Sequence, residues 1–314
     1  MSKKIALLFS GQGAQQVGMG KDLAGRYAVA ANLFAEADRL LGRSLSQLAF
    51  DGPMEELTKT SNCQIALYVH GLALLRVLEE EAGPIPASAA AGLSLGEFTA
   101  HAAAESFDFA TGLRLVTQRS RFMEDACNES RGTMAALVGG EESVVREVAA
   151  DADVDVANLN APGQIVLSGE IAKIERAISI AKAKGIRRAV PLSVAGAFHS
   201  RLMASAKERL RTELAQATIQ APRLTVISNV TALPVDDPNE IRKTLSDQVT
   251  GSVRWAESIE YLVDRAGCDL FLELGPGSIL AGLMARIRKG VDVLSIGDLD
   301  GLEKALPIVR GAME

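Results

Sequence analysis

The stretch Gly92-Leu93-Ser94-Leu95-Gly96, followed directly by Glu97, constrains this chain more than any other. It is a Gly-x-Ser-x-Gly pattern, and its surroundings suit one use of that pattern. The Ala-rich run from Ser88 to Ala91 ahead of it is small and apolar enough to end as a buried strand. Glu97 to Ala104 behind it are helix-compatible. Strand, sharp turn and helix are what a nucleophile elbow requires. The glycines permit a tight turn, and Ser94 is lifted into the open. The N–H of Leu95 then falls at a helix N-terminus, where an unsatisfied donor can receive an oxyanion. A Gly/Ser-rich turn with no chemistry fits the five residues equally well, so the pattern needs partners elsewhere.

Composition narrows the classes. The 314 residues suggest one large or two modest domains, and 48% hydrophobic residues against 23% charged ones can bury a normal core. Aromatics are only 4%, so that core rests on Ala, Leu, Val and Ile. A net charge of -6 argues against general nucleic-acid binding. Cys63, Cys127 and Cys268 are far apart and form no C-x-x-C, which suits a reducing cytoplasm and offers no metal framework. The apolar run Ile5 to Phe9 is too short for a signal peptide and reads as a first strand, and no segment is long enough to span a membrane. A cytoplasmic monomer is the expectation.

Along the chain, strand 5–9 runs into the loop Ser10-Gly11-Gln12-Gly13-Ala14-Gln15. Helical periodicity follows over 28–49, 63–80 and 108–127. The pattern then changes to strand 134–138, helix 141–150, strand 154–158, strand 164–168, helix 171–184 and strand 187–192. That β-α-β-β-α-β order is ferredoxin-like. The larger α/β pattern resumes with a helix at 200–217, a strand at 224–229, a helix at 253–266, a strand at 270–274, the turn Gly275-Pro276-Gly277 and a helix at 278–288. The expected fold is an α/β-hydrolase-like large domain with a parallel central sheet, in two parts (1–127 and 198–314), with a ferredoxin-like small domain (128–197) inserted.

A serine nucleophile needs a base, and the chain has only three histidines. His70 lies inside a helical stretch. His101 is two turns beyond Ser94, about 10 Å along a helix axis and too far for contact. His199, in Gly196-Ala197-Phe198-His199-Ser200, follows a strand in a Gly-containing loop, the kind of place that carries catalytic groups. On helix 108–127, Gly112, Leu115, Val116, Arg119, Phe122, Met123 and Ala126 share one face. Arg119 alone interrupts that apolar stripe. A guanidinium facing the interior needs an anion, either an internal carboxylate or that of a substrate. The loop Gly11-Gln12-Gly13 fails as a dinucleotide fingerprint because Gln16 stands where the third glycine belongs. It can instead bring backbone N–H groups to a bound acyl group.

Six motifs, in order, carry a family resemblance. They are Gly11 to Gln15, Gly92 to Glu97, Gln118-Arg119-Ser120-Arg121-Phe122-Met123, Gly196 to His199, Gln248 ahead of Val253-Arg254-Trp255, and Glu273-Leu274-Gly275-Pro276-Gly277. Together, over nearly the whole chain, they resemble the malonyl-CoA:acyl carrier protein transacylases of fatty acid and polyketide synthesis. The resemblance implies Ser94 as nucleophile, His199 as base, and the backbone carbonyl of Gln248 as the group that orients the histidine. It implies an oxyanion hole from the N–H groups of Gln12 and Leu95, with Arg119 clamping the malonyl carboxylate. Asn160 and Gln64 fall in loops of the family pattern as further substrate contacts. No cofactor is implied, and the partners are malonyl-CoA and acyl carrier protein. Leu93 departs from the many members with His before the nucleophile, although others carry an apolar residue there. Phe198 resembles malonyl-specific members, since a ring there crowds a 2-methyl group.

That carrier protein is acidic, as is this chain, so docking calls for a local basic patch. Arg286, Arg288 and Lys289 are the first candidates, and Lys182, Lys184, Arg187 and Arg188 the second; a solvated basic face explains either cluster as well. A serine esterase or thioesterase, the same chemistry in a polyketide or malonate decarboxylase system, and a non-catalytic scaffold are the competing readings.

Overall fold

The computed structural model describes residues 3–314. Its centre is strand β1 (Ile5–Phe9), whose five residues are all buried. Ile5, Leu7 and Phe9 face one apolar cluster, while Ala6 and Leu8 face another on the opposite side. Burial on both faces turns a strand into a continuous apolar run, as parallel sheets require. β2 (Ala87–Gly92) and β8 (Leu270–Leu274) flank it, with β7 (Thr225–Val226) and β9 (Asp292–Ile296) at the edges. The order is β7-β2-β1-β8-β9 and every pairing is parallel. Helices 60–82, 95–103, 109–129 and 299–313 cover the first face, and helices 255–260 and 279–287 the second.

The second sheet is antiparallel. β3 (Gly132–Val138), β4 (Asp155–Ala161), β5 (Gln164–Glu170) and β6 (Arg188–Pro191) are arranged β4-β5-β3-β6. Helices 142–152 and 171–183 pack on one face over a core of Ala135, Leu137, Val148, Leu167 and Ile174. Met134 and Val166 point the other way and join the large cluster, so the sheet is shared between two cores. β4 is also tied to the large unit: Leu159 donates to the Val253 carbonyl (2.9 Å) and Val253 to that of Ala157 (2.8 Å).

Some elements differ from the sequence expectation. The helical run 28–49 is two helices, 28–41 and 45–51, because Gly42 ends the first in a left-handed cap (φ 64). The expected strand 224–229 is only two residues long, and the expected helix 253–266 is helical from 255 and finishes as a π-helical turn over 261–265. Helices 238–247 and 299–313 and strand β9 were not anticipated. Helix 299–313 contains Pro307, Gly301 and Gly311, residues that argue against a helix locally, and is held by burial of Leu302, Ala305 and Val309. Among the described residues no helix is long and apolar enough to cross a membrane.

The turn between β2 and helix 95–103 owes its shape to close approach rather than to glycine's φ freedom. Ser94 itself adopts the strained conformation, with φ 54 and ψ -104. Gly92 and Gly96 are required for space. A Cβ on Gly92 would lie 1.9 Å from the Gly96 backbone, and one on Gly96 would lie 2.2 Å from the Phe9 carbonyl oxygen. Asn229 pins the turn from both sides: its Oδ1 accepts from the Ser94 N–H (2.7 Å) and its Nδ2 donates to the Gly92 carbonyl (2.8 Å). Gly92→Ala is therefore expected to destabilise the protein by about 3 kcal/mol, the upper end of overpacking costs. Urea denaturation measures this, and a change under about 1 kcal/mol would show that the turn yields.

Candidate active site

Ser94 stands at the carboxyl end of β2, beside the loop that leaves β1, where open parallel sheets place their ligand crevices. Its Oγ is 2.8 Å from His199 Nε2, and His199 Nδ1 is 2.8 Å from the Gln248 backbone oxygen. A carbonyl can only accept, so Nδ1 carries the proton and Nε2 presents its lone pair to the serine hydroxyl. His199 is buried and has a left-handed φ of 55, a second strained residue facing the first. Burial, together with the charge of Arg119, lowers its imidazole to about 4, so the ring is neutral at physiological pH.

Arg119 is 1% exposed. Helix 109–129 turns the stripe Gly112, Leu115, Val116, Arg119, Phe122, Met123 and Ala126 wholly inward. The guanidinium lies over the Phe98 ring, 5.4 Å from its centroid. Nη1 donates to Gln64 Oε1 (2.6 Å), while Nη2 donates to Gln248 Oε1 (2.7 Å) and to Ser94 Oγ (3.0 Å). Nε has no partner. All its acceptors are neutral, which costs a buried cation several kcal/mol relative to water. Burial accordingly lowers its pKa to about 10, still far above neutrality.

A cavity of about 250 Å³ opens above the serine. Met134, Val166, Leu192, Val194 and Phe198 wall one side, with Leu283 and Ile279 at the rim of helix 279–287. Gln12, Gln64, Asn158, Asn160 and Gln164 supply its polar lining. Asn160 Oδ1 is buried without a hydrogen-bond partner. Gln12 Oε1 accepts from Gln64 Nε2 (3.2 Å), so Gln64 links the N-terminal loop to Arg119. The Leu95 N–H is the first of its helix and has no carbonyl a turn earlier to receive it. A slightly larger hollow, about 280 Å³ between Leu72, Phe107 and Gln220, brings no nucleophile to a base.

The structure thus brings together Ser94, His199, Gln248, Arg119, Gln64 and Gln12 through hydrogen bonds, with Phe198 and Asn160 on the cavity wall. His70 is buried away from them, and His101 is engaged by Ser106 Oγ at 2.9 Å. Glu273 of the Glu-Leu-Gly-Pro-Gly motif caps helix 279–287 by accepting from the N–H groups of Leu280 and Ala281. Of the basic candidates, Arg288 is ion-paired with Asp264 and Glu260, and Lys184 with Glu147 and Asp151. Arg286, Lys289, Lys182, Arg187 and Arg188 are exposed. Asn229 and the side chains of Glu97 and Gln248 were missed by sequence reasoning. Glu97 adjoins the serine pattern, but no spacing ties residues 229 or 248 to it.

Residues 6–296 match the acyl transferase domain family. The chain belongs to that family. It is 38% identical to the malonyl CoA-acyl carrier protein transacylase of Bacillus subtilis (strain 168), over 98% of each chain. The acyl-carrier-protein S-malonyltransferase structure from Bartonella henselae superposes with a TM-score of 0.93 at 38% identity, covering 98% of this chain and 99% of that one. A malonyl-transacylase solved in complex with a type II PKS acyl-carrier protein gives 0.92 at 36% identity, covering 97% and 99%.

The lowered imidazole sets a sign. The reactive form is neutral, so Ser94 reactivity is retained above the folded-state value and lost as pH falls through it. Labelling of Ser94 by a fluorophosphonate is expected to stay level from pH 8 to about 5.5 and to fall only around 4. A limb centred near 6.5 would mean that the imidazole is solvated.

Proposed function

We propose that the protein transfers a malonyl group from malonyl-CoA to the phosphopantetheine thiol of an acyl carrier protein, through a malonyl ester on Ser94. One observation carries the reading: the Ser94 hydroxyl is held between a neutral histidine and a buried arginine that has no carboxylate of its own. The full-length transacylase relatives support the substrate and the carrier.

In the first half-reaction Ser94 Oγ attacks the thioester carbon as its proton passes to His199 Nε2. The carbonyl of Gln248 keeps the ring in the tautomer that can accept. The tetrahedral oxyanion takes hydrogen bonds from the backbone N–H groups of Gln12 and Leu95. As the C–S bond breaks, His199 returns its proton to the departing coenzyme A sulfur. The carrier's thiol then repeats the sequence in reverse order of groups, its proton passing through His199 back to Ser94. The free carboxylate of the acyl group pairs with Arg119, which an acetyl group would leave unmatched. Phe198 narrows the space beside the acyl C2. The reading places the reaction in the cytoplasm, which the three unpaired cysteines favour. A hydrolase of uncharged esters would have no use for a buried cation beside its nucleophile.

Intact mass spectrometry after brief mixing with malonyl-CoA is expected to show one malonyl adduct that is absent in Ser94→Ala and moves to added carrier protein. In Arg119→Ala the preference for malonyl over acetyl should fall by about a hundredfold or more. An adduct that decays equally fast with and without carrier would make the protein a hydrolase. Phe198→Ser is expected to raise methylmalonyl transfer relative to malonyl transfer by about tenfold, the scale of one methyl group in a pocket. An unchanged ratio in competition assays would remove Phe198 from the selectivity argument.

A further inference from the structure

Glu97 is fully buried one helical turn from Ser94, where its backbone N–H donates to the Ser94 carbonyl (3.1 Å), yet its carboxylate bonds to neither the serine hydroxyl nor the histidine ring. Its Oε2 accepts from Gln248 Nε2 (2.6 Å) and from the Asn229 N–H (3.1 Å), while Oε1 has no partner. Gln248 makes three further contacts that the site depends on. Its backbone oxygen receives His199, its Oε1 receives Arg119 Nη2, and its Nε2 also donates to the Ser94 carbonyl (2.9 Å). A primary amide has two ends of similar shape and opposite function. Turned over, it would aim an NH2 group at the guanidinium. Acceptors at the Nε2 end fix the other choice; there are two, the Ser94 carbonyl and the Glu97 carboxylate, and the carboxylate is the shorter and stronger contact.

We propose that Glu97 is a positioning residue for recognition of the acyl carboxylate: it locks the Gln248 amide with Oε1 toward Arg119, and so holds the guanidinium beside Ser94. This rests on the reading that Arg119 receives that carboxylate. The arrangement has a chemical logic. A carboxylate in direct contact with Arg119 would compete with the substrate for the same donors. Set one amide away, Glu97 supports the buried cation through its field and leaves the donors exchangeable. Burial pushes its carboxyl up to about 7. Either state locks the amide, because a proton can occupy the unpartnered Oε1 and leave Oε2 as acceptor; only the ionised state adds the field. Through Asn229 the same oxygen also reaches the clamp on the serine turn. A residue that merely props up that turn would affect every reaction of Ser94 alike, and this gives the means of separation.

Two near-isosteric variants test it, Glu97→Met without an acceptor and Glu97→Gln with one. Both relieve a buried carboxyl, so folding is checked by thermal melting and expected to hold. Two rates are read on each: malonyl ester formation from malonyl-CoA, and Ser94 labelling by a fluorophosphonate, which brings no carboxylate for Arg119 to bind. In Glu97→Met the maximal malonylation rate should drop tenfold or more, with labelling within about threefold of the parent. Glu97→Gln should recover malonylation to within about threefold, because its amide oxygen can accept both bonds. Equal loss of both rates in the folded Met variant would reduce Glu97 to support of the turn and overturn the proposal. So would malonylation in Glu97→Gln more than tenfold below the parent, a result decisive even if the Met variant fails to fold. Failure of the parent to form the malonyl ester would instead sink the proposed function itself.

Discussion

A guanidinium buried against neutral acceptors is the constraint around which the rest of the site is arranged. Arg119 could reach solvent-like stability in two ways, through a permanent carboxylate partner or through a dense set of oriented oxygens. The protein uses the second. Gln64, Gln248 and Ser94 each present an oxygen, and the Phe98 ring face lies under the cation. Those three oxygens come from helix 60–82, the residue after helix 238–247 and the turn after β2, and the arginine from helix 109–129, four different parts of the chain. Assembling them requires the whole large unit. On the proposed reading the arginine receives the acyl carboxylate, and the cost of burying it is spread over the fold.

The second sheet completes what the first begins. A parallel sheet leaves its reactive loops open at the carboxyl ends of the strands. Here the apolar back of the antiparallel sheet closes over them, with Met134 and Val166 facing the cavity and Asn160 offering an unpartnered oxygen at its edge. Water excluded by that roof strengthens each electrostatic contact beneath it. The same exclusion keeps His199 neutral, so desolvation prepares the base and the cation together.

The sequence made some of this legible and hid the rest for identifiable reasons. β1, β2 and β8 could be read because strands covered on both faces are short runs made almost entirely of apolar residues, with Ser88 and Glu273 the exceptions. The β-α-β-β-α-β segment could be read because its periodicities switch cleanly. Arg119 stood out because it broke an apolar stripe. Strand β9 is a half-buried edge, and helix 299–313 carries a proline and two glycines, so local pattern opposed the tertiary outcome. The role of the glycines at the serine turn was readable only in part. They answer steric approach by Phe9 and by each other, while Ser94 itself bears the left-handed strain. Asn229 was invisible, since its two bonds to the turn span more than a hundred residues and follow no spacing.

The absence of an acidic group behind His199 follows from the same constraint. A carboxylate on Nδ1 would raise the imidazole's basicity, as in many serine enzymes. It would also place a second fixed anion within a few ångströms of the cation, and at the dielectric of a closed site such a charge interacts at several kcal/mol. Arg119 would then be partly neutralised before any acyl group arrived. The Gln248 carbonyl supplies the tautomer and the orientation without that charge. The loss in basicity matters less than it would for an amide substrate, because a thiolate leaves readily and needs less help from a strong acid or base. On the proposed reading, a thioester-handling serine can therefore accept a weaker base in exchange for a cation with no carboxylate in direct contact, and that exchange distinguishes this site from a general hydrolase.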